Sequence, residues 1–129
     1  IKKNNIKNLY YFATPKININ KNSSLINKEY YDFYVKYPLT ILKNCGMKLN
    51  FFYPSTSFIN KRYNLYSNNK NHAEKLLRKI KKNRHNIKIV RLDEINTRQN
   101  LMLSNKKLLN MRDYLFKNAK LFNETFFLL

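Results

Sequence analysis

Leu42-Lys43-Asn44-Cys45-Gly46-Met47-Lys48-Leu49-Asn50-Phe51 is the stretch in which a helical pattern gives way to an alternating one. Upstream of it, Ile26, Tyr30, Phe33, Tyr37 and Ile41 recur at helical spacing, which predicts a helix with these residues as its buried stripe. Ser23 or Ser24 is placed to cap that helix. Pro38 has no backbone donor and crowds the preceding turn, so the helix is expected to be kinked or built from two pieces. Gly46 is expected to close it in the left-handed conformation. Met47, Leu49 and Phe51 then fall on one face of a strand.

Working outward, Lys16-Ile17-Asn18-Ile19-Asn20 alternates at period two and predicts an earlier strand. Tyr53-Pro54-Ser55-Thr56-Ser57 reads as a turn, and Lys61-Arg62-Tyr63-Asn64-Leu65-Tyr66 as a strand with aromatic residues spaced for one face. Ala73, Leu76, Leu77 and Ile80 give His72 to Lys82 a helical period. Asn86 to Leu92 is a further strand, Ser104 is placed to cap a helix reaching about Asn118, and Glu124 to Leu129 reads as a closing strand. This order predicts an α+β fold of the ferredoxin-like, split βαβ kind: a four-stranded sheet, two helices and a long basic excursion. Residues 1–12 read as a basic arm anchored at Leu9-Tyr10-Tyr11-Phe12, and residues 13–129 as one domain, since one Gly and three Pro leave no flexible linker.

The chain carries 26 Lys and Arg against 7 Asp and Glu, a net charge of +19 on 129 residues. A compact state so charged repels itself and calls for a polyanionic partner. Asn, Lys, Ile, Tyr and Phe make up more than half of the chain, which points to an AT-rich genome, so coding bias accounts for part of the lysine. Arginine is less favoured by that bias, and Arg62, Arg78, Arg84 and Arg91 therefore carry extra weight. Between Lys70 and Arg91 the cations Lys70, Lys75, Arg78, Lys79, Lys81, Lys82, Arg84, Lys88 and Arg91 are opposed only by Glu74. With Lys2, Lys3 and Lys7 in the arm, they predict nucleic-acid binding through phosphate neutralisation. Tyr63 and Tyr66 flank this segment and are candidates for stacking on unpaired bases, whereas Tyr30, Phe33 and Tyr37 are assigned to the core.

Chemistry of other kinds has little to stand on. The sequence contains no nucleophile elbow, phosphate loop, dinucleotide fingerprint or zinc-protease motif. Asp93-Glu94 reads as a solvated turn, and Cys45, His72 and His85 match no zinc spacing, so no metal, cofactor, catalytic residue or small-molecule substrate is expected. A single Cys excludes an internal disulfide framework and favours a reducing compartment. No apolar run is long enough to span a bilayer. The first residue is Ile1, compatible with a removed targeting segment.

The order of elements resembles the universal small-subunit ribosomal protein S-ten family, in particular its mitochondrial members. Ile17-Asn18-Ile19-Asn20 is similar to that family's first strand, and Leu25-Ile26 with Tyr30-Tyr31-Asp32-Phe33 to its first helix. Leu42 to Leu49 resembles the helix end and second strand, and Pro54 falls where a proline turn is expected. Lys61-Arg62-Tyr63-Asn64-Leu65 resembles the entry to the family's long hairpin, Lys82-Asn83-Arg84-His85-Asn86-Ile87 its return, and Met111 to Leu129 the closing helix and strand. Departures are the longer, Pro38-containing first helix, a longer turn after Pro54, and Ser67-Asn68-Asn69 in place of the usual Ser-Pro-His. The resemblance implies a structural protein of the mitochondrial small ribosomal subunit, with rRNA and neighbouring proteins of the subunit head as partners. It adds Lys61, Arg62 and His85 to the RNA-binding set, on a hairpin of about residues 60–91 that would absorb the helical period of Ala73 to Lys82. Two alternatives stand beside it. One is a different organellar ribosomal protein or RNA-maturation factor; the other is an accessory subunit of a membrane complex, with Ala73 to Lys82 lying on anionic lipid.

Overall fold

The computed structural model describes residues 6–17, 23–61, 64–93 and 110–117. Its framework is a sheet of three parallel strands in the order β1 (Asn8–Tyr10), β2 (Asn50–Thr56), β3 (Asn86–Leu92). β1 reaches β2 through α1 (Ser24–Tyr31), a π turn (Asp32–Lys36) and α2 (Tyr37–Asn44). β2 reaches β3 through a short 3-10 turn (Ser57–Asn60) and α3 (Leu65–Leu77). The two crossovers step across the sheet in the same direction, and crossovers of one hand then lay their helices on the same face. The packing agrees: Val35, Leu42, Ala73 and Leu77 of the helical layer share one core with Phe51 and Tyr53 of β2. On the opposite face Phe52 and Val90 pack with Tyr114 of α4 (Met111–Lys117).

The mixed α and β content matches expectation, but the ferredoxin-like topology does not. Among the described residues the sheet has three strands rather than four, all parallel, and neither pairing is a hairpin. The first strand lies in the stretch assigned to the arm, at Asn8–Tyr10, whereas Lys16 and Ile17 are outside any strand; residues 18–20 lie outside the described set. β2 begins three residues later than expected and runs through the supposed turn to Thr56, with Phe51 through Thr56 all buried. A central strand of a parallel sheet is covered on both faces and shows an unbroken buried run instead of alternation.

Pro54 is tolerated in this central strand because the strand is central only in its first half. β1 covers Asn50 to Phe52 and ends there. The amide of Tyr11 donates to Phe52 O at 2.9 Å, and Pro54, two residues on, faces the same side past the end of β1. A missing N–H at that uncovered edge breaks no ladder bond.

The hairpin reading fails at Asn64. Its side-chain oxygen accepts the Ser67 amide at 2.8 Å, while Ser67 Oγ accepts the Asn64 amide at 3.1 Å, a reciprocal cap that starts α3 where a strand is expected. The helical period of Ala73 to Lys82 is therefore real but displaced: α3 spans Leu65–Leu77 and gives way to turns through Arg84. At the other crossover Ser23 caps α1 as expected, accepting the Ile26 amide at 3.2 Å. Pro38 does divide that helix, by way of the π turn. It removes the donor that Tyr34 O would receive in an α-helix and Phe33 O in a π-helix. Tyrosine hydroxyls from below supply both: Tyr53 donates to Tyr34 O at 3.0 Å and Tyr11 to Phe33 O at 2.6 Å. Tyr34 and Val35 are thereby turned into the core, and Tyr37 and Ile41, expected there, face outward.

Gly46 closes α2 without the left-handed conformation: no glycine has positive φ among the described residues, and the chain leaves the helix through Cys45 in an extended conformation. At the far end Asn110 caps α4 by accepting the Asp113 amide at 2.8 Å. The remainder of the helix expected from Ser104 to Asn118, and the strand expected over Glu124 to Leu129, lie outside the described residues.

Candidate nucleic-acid interface

In a parallel sheet with helical crossovers, all strand N-termini and all helix C-termini share one end. Here that end is basic. The leads into the three strands run side by side: the Asn50 amide donates to Lys7 O and the Asn86 amide to Leu49 O, both at 2.8 Å. Lys7, Lys48 and Arg84 are exposed on these adjacent leads, Lys43 lies in the last turn of α2, and Lys79, Lys81 and Lys82 follow α3. Two hollows share Asn83 and Arg84: one of about 530 Å³ bounded by Lys79, Ile80 and Lys81, the other of about 430 Å³ bounded by Lys43, Lys48 and His85.

A helix C-terminus is electronegative and by itself repels an anion. At α2 that rim is closed. The Cys45 amide donates to Ile41 O at 3.0 Å, His85 Nε2 to Leu42 O at 2.8 Å, and Arg84 Nη2 to Lys43 O at 3.1 Å. His85 is buried, and its Nδ1 accepts the Leu49 amide at 3.3 Å. Both ring nitrogens are thus committed, and the neutral Nε2–H tautomer is the one that satisfies both partners. Arg84 and His85 tie the α2–β2 loop to the α3–β3 loop, so the cations of both stand on one knitted surface.

An amide ladder reinforces the same end. Asn8, Asn50 and Asn86 lie in register across the three strands, with Asn50 Nδ2 donating to Asn8 Oδ1 and Asn86 Nδ2 to Asn50 Oδ1, each at 2.8 Å. A slip of β2 by one residue would break both bonds and exchange the side chains packed on its two faces, so the ladder pins the register.

Apart from Arg91, which is paired with Glu74, the residues expected to bind RNA divide into four groups. Lys7, Lys79, Lys81, Lys82 and Arg84 meet at the basic end, with Lys75 and Arg78 exposed at the close of α3 and Lys88 half-buried on β3. Lys61 is exposed after the 3-10 turn, at the opposite end of β2. Lys2, Lys3 and Arg62 lie outside the described residues. Lys70 and His85 are buried and serve the interior. Lys43 and Lys48 join the site without having been singled out, because isolated lysines carry no signal in an Asn- and Lys-rich chain.

Lys70 is a different kind of cation. Its Nζ donates to Pro54 O at 2.7 Å, the carbonyl left open where β1 stops. It also sits 4.3 Å from the Tyr34 ring centroid and 4.7 Å from that of Tyr53. Burial disfavours its charged form and lowers its pKa to about 7, against an opposing pull from Glu74. Glu74 is buried too, and Arg91 grips it with Nε on Oε1 and Nη2 on Oε2, both at 2.9 Å. Burial alone would raise the Glu74 carboxyl, but the hydrogen bonds and charge of Arg91, with a longer hydrogen bond from Arg78, outweigh it and hold the group below its ordinary value. Arg91 is accordingly spent on an internal ion pair, whereas among the described residues no carboxylate pairs with Lys79, Lys81, Lys82 or Arg84.

Of the stacking candidates, Tyr66 is enclosed edge-on against Tyr30 and Tyr34, and Tyr63 lies outside the described residues. Asp93 offers its amide to the Tyr114 hydroxyl at 3.4 Å, and Glu94 lies outside the described residues. Among the described residues no cluster of His, Cys, Asp and Glu is placed to hold a metal ion, and no helix is long and apolar enough to cross a membrane. Comparison with protein-family models, with curated proteins and with solved structures finds no match to the chain.

Proposed function

We propose that this chain is a structural RNA-binding protein that performs no chemistry of its own. The observation that carries the reading is the convergence of Lys7, Lys43, Lys48, Lys79, Lys81, Lys82 and Arg84 at one end of the sheet, without carboxylate partners among the described residues. Cations so arranged repel one another until a polyanion joins them, and RNA backbone repays that repulsion by releasing its counterions. The particle we propose is the mitochondrial small ribosomal subunit, with its rRNA and the proteins of its head as partners. That choice rests on the S-ten resemblance in individual stretches and on the AT-rich composition; the parallel topology lends it no support. The lipid-surface alternative has less to draw on, since α3 stops at Leu77 and buries Ala73 and Leu77 in the core.

Sedimentation of an epitope-tagged copy through a magnesium-containing gradient tests the reading. Co-migration with small-subunit rRNA that collapses after ribonuclease is the expected result. Migration with a detergent-solubilised membrane complex, indifferent to ribonuclease, would overturn it.

A further inference from the structure

We propose that the basic end takes the sugar-phosphate backbone of double-helical RNA rather than unpaired bases, an inference that rests on the RNA-binding reading and narrows it. The exposed residues of the two loops are Lys43, Asn44, Gly46, Met47 and Lys48 on one side and Arg78, Lys79, Lys81, Lys82, Asn83 and Arg84 on the other. They supply point charges, guanidinium groups and amides, and no aromatic ring. Unpaired RNA is held chiefly by stacking bases on aromatic side chains along a groove, whereas duplex RNA offers phosphates and 2′-hydroxyls on a rigid, regular surface. Amides at Asn44 and Asn83 suit the 2′-hydroxyl, which both donates and accepts.

The rigidity of the end points the same way. Cations on mobile loops adapt to any polyanion; cations held on a fixed frame favour a ligand whose phosphates are also fixed. Arg84 and His85 lock both loops to the end of α2, and the strand leads are held about 4.8 Å apart by the sheet itself. The aromatic residues of the sheet and of the helices above it stand outside these two loops, and the exposed Tyr31 of α1 lies against the His72 ring. Tyr11, Tyr34, Tyr53 and Phe51 are in the core, and Tyr37, the exposed aromatic of α2, rests edge-on against Phe33.

The test is fluorescence anisotropy of the full chain with a labelled RNA duplex of about 20 base pairs, longer than the ~16 base pairs that a duplex-binding module covers. The comparison is an unstructured single strand of the same length. Binding of the duplex at least tenfold tighter than the single strand, and equally for unrelated duplex sequences, is expected. Lys79→Glu, Lys81→Glu and Lys82→Glu together should weaken it and flatten its salt dependence, the slope falling by about 0.9 for each phosphate that is no longer neutralised. Tyr37→Ala should change nothing. Single-strand binding as tight as duplex binding, or loss of affinity in Tyr37→Ala, would overturn the inference while leaving RNA binding intact. Absence of binding to either RNA would remove the RNA-binding reading itself.

Discussion

Lys70 shows how one side chain shapes the response of the whole domain to pH. Its folded pKa lies at about 7, against an ordinary lysine value of 10.5. Between these limits the unfolded chain binds a proton that the folded chain does not, so stability rises with pH, by at most about 1.4 kcal/mol per pH unit. Below the window Lys70 is charged in both states and the cost of burying it is constant. Above it the buried tyrosines reverse the trend. Burial pushes Tyr11 up to about 12 and raises Tyr34 and Tyr53 further, so from about pH 10 the unfolded chain loses protons that the folded chain keeps. Urea melts should therefore show stability climbing from pH 7 to about 9.5 and falling above 10. Lys70→Met should abolish the climb and keep the fall. A wild-type profile flat from pH 7 to 9.5 would contradict the assignment.

Gly46 makes a contrasting prediction at the same scale. Its φ is not positive, and a Cβ there would meet nothing within 4 Å. Gly46→Ala should be neutral or stabilise by up to ~1 kcal/mol by restricting the unfolded chain, readable as a small rise in melting temperature. A left-handed Gly46 would have required the opposite sign.

At the scale of elements, the π turn and the α2 terminus depend on partners far away in sequence. Tyr53→Phe removes the donor to Tyr34 O while keeping the ring that faces Lys70. A buried carbonyl without a partner costs ~1–3 kcal/mol, and that loss in the denaturant midpoint is the expected result. His85→Ala should cost more, because it leaves a cavity and strips partners from both Leu42 O and the Leu49 amide. It should weaken RNA binding as well, although His85 touches solvent scarcely at all. Hydrogen exchange at Leu49 reports this locally, and protection there unchanged by His85→Ala would sink the idea that His85 joins the loops.

These long-range bonds also mark how far sequence reasoning reaches. Helix caps written in neighbouring residues were legible: Ser23 starts α1 as its position suggests, and Pro38 divides the helix. Asn64 was equally local but was obscured by the strand character of its aromatic neighbours, and at Tyr66 that preference lost to a reciprocal cap. The parallel pairing was not legible, because a strand buried on both faces has no alternation and Pro54 looks like a turn until β1 is seen to stop short of it. For the site, the cluster from Lys79 to Arg84 was legible from charge density. The internal roles of Lys70, His85 and Arg91 were not, since a lysine under two tyrosine rings and one on the surface are the same letter.

For the whole molecule, a net charge of +19 sets stability and binding against each other. Mutual repulsion among the cations at the basic end raises the free energy of the compact state and is relieved by salt, by charge removal or by a bound polyanion. Replacing Lys79, Lys81 and Lys82 by Glu withdraws six units of positive charge from exposed positions. The free variant should melt higher than the wild type at low ionic strength, and the difference should shrink as salt is added. With duplex RNA present at about one hundred times its dissociation constant, the order should invert, since binding to the folded state adds ~2.7 kcal/mol to the wild type and little to the variant. Differential scanning fluorimetry of both proteins, with and without the duplex and across a salt series, measures all four states. If the variant melts lower in every condition, the lysines support the fold itself, as counter-charges to the α3 terminus, rather than await a partner.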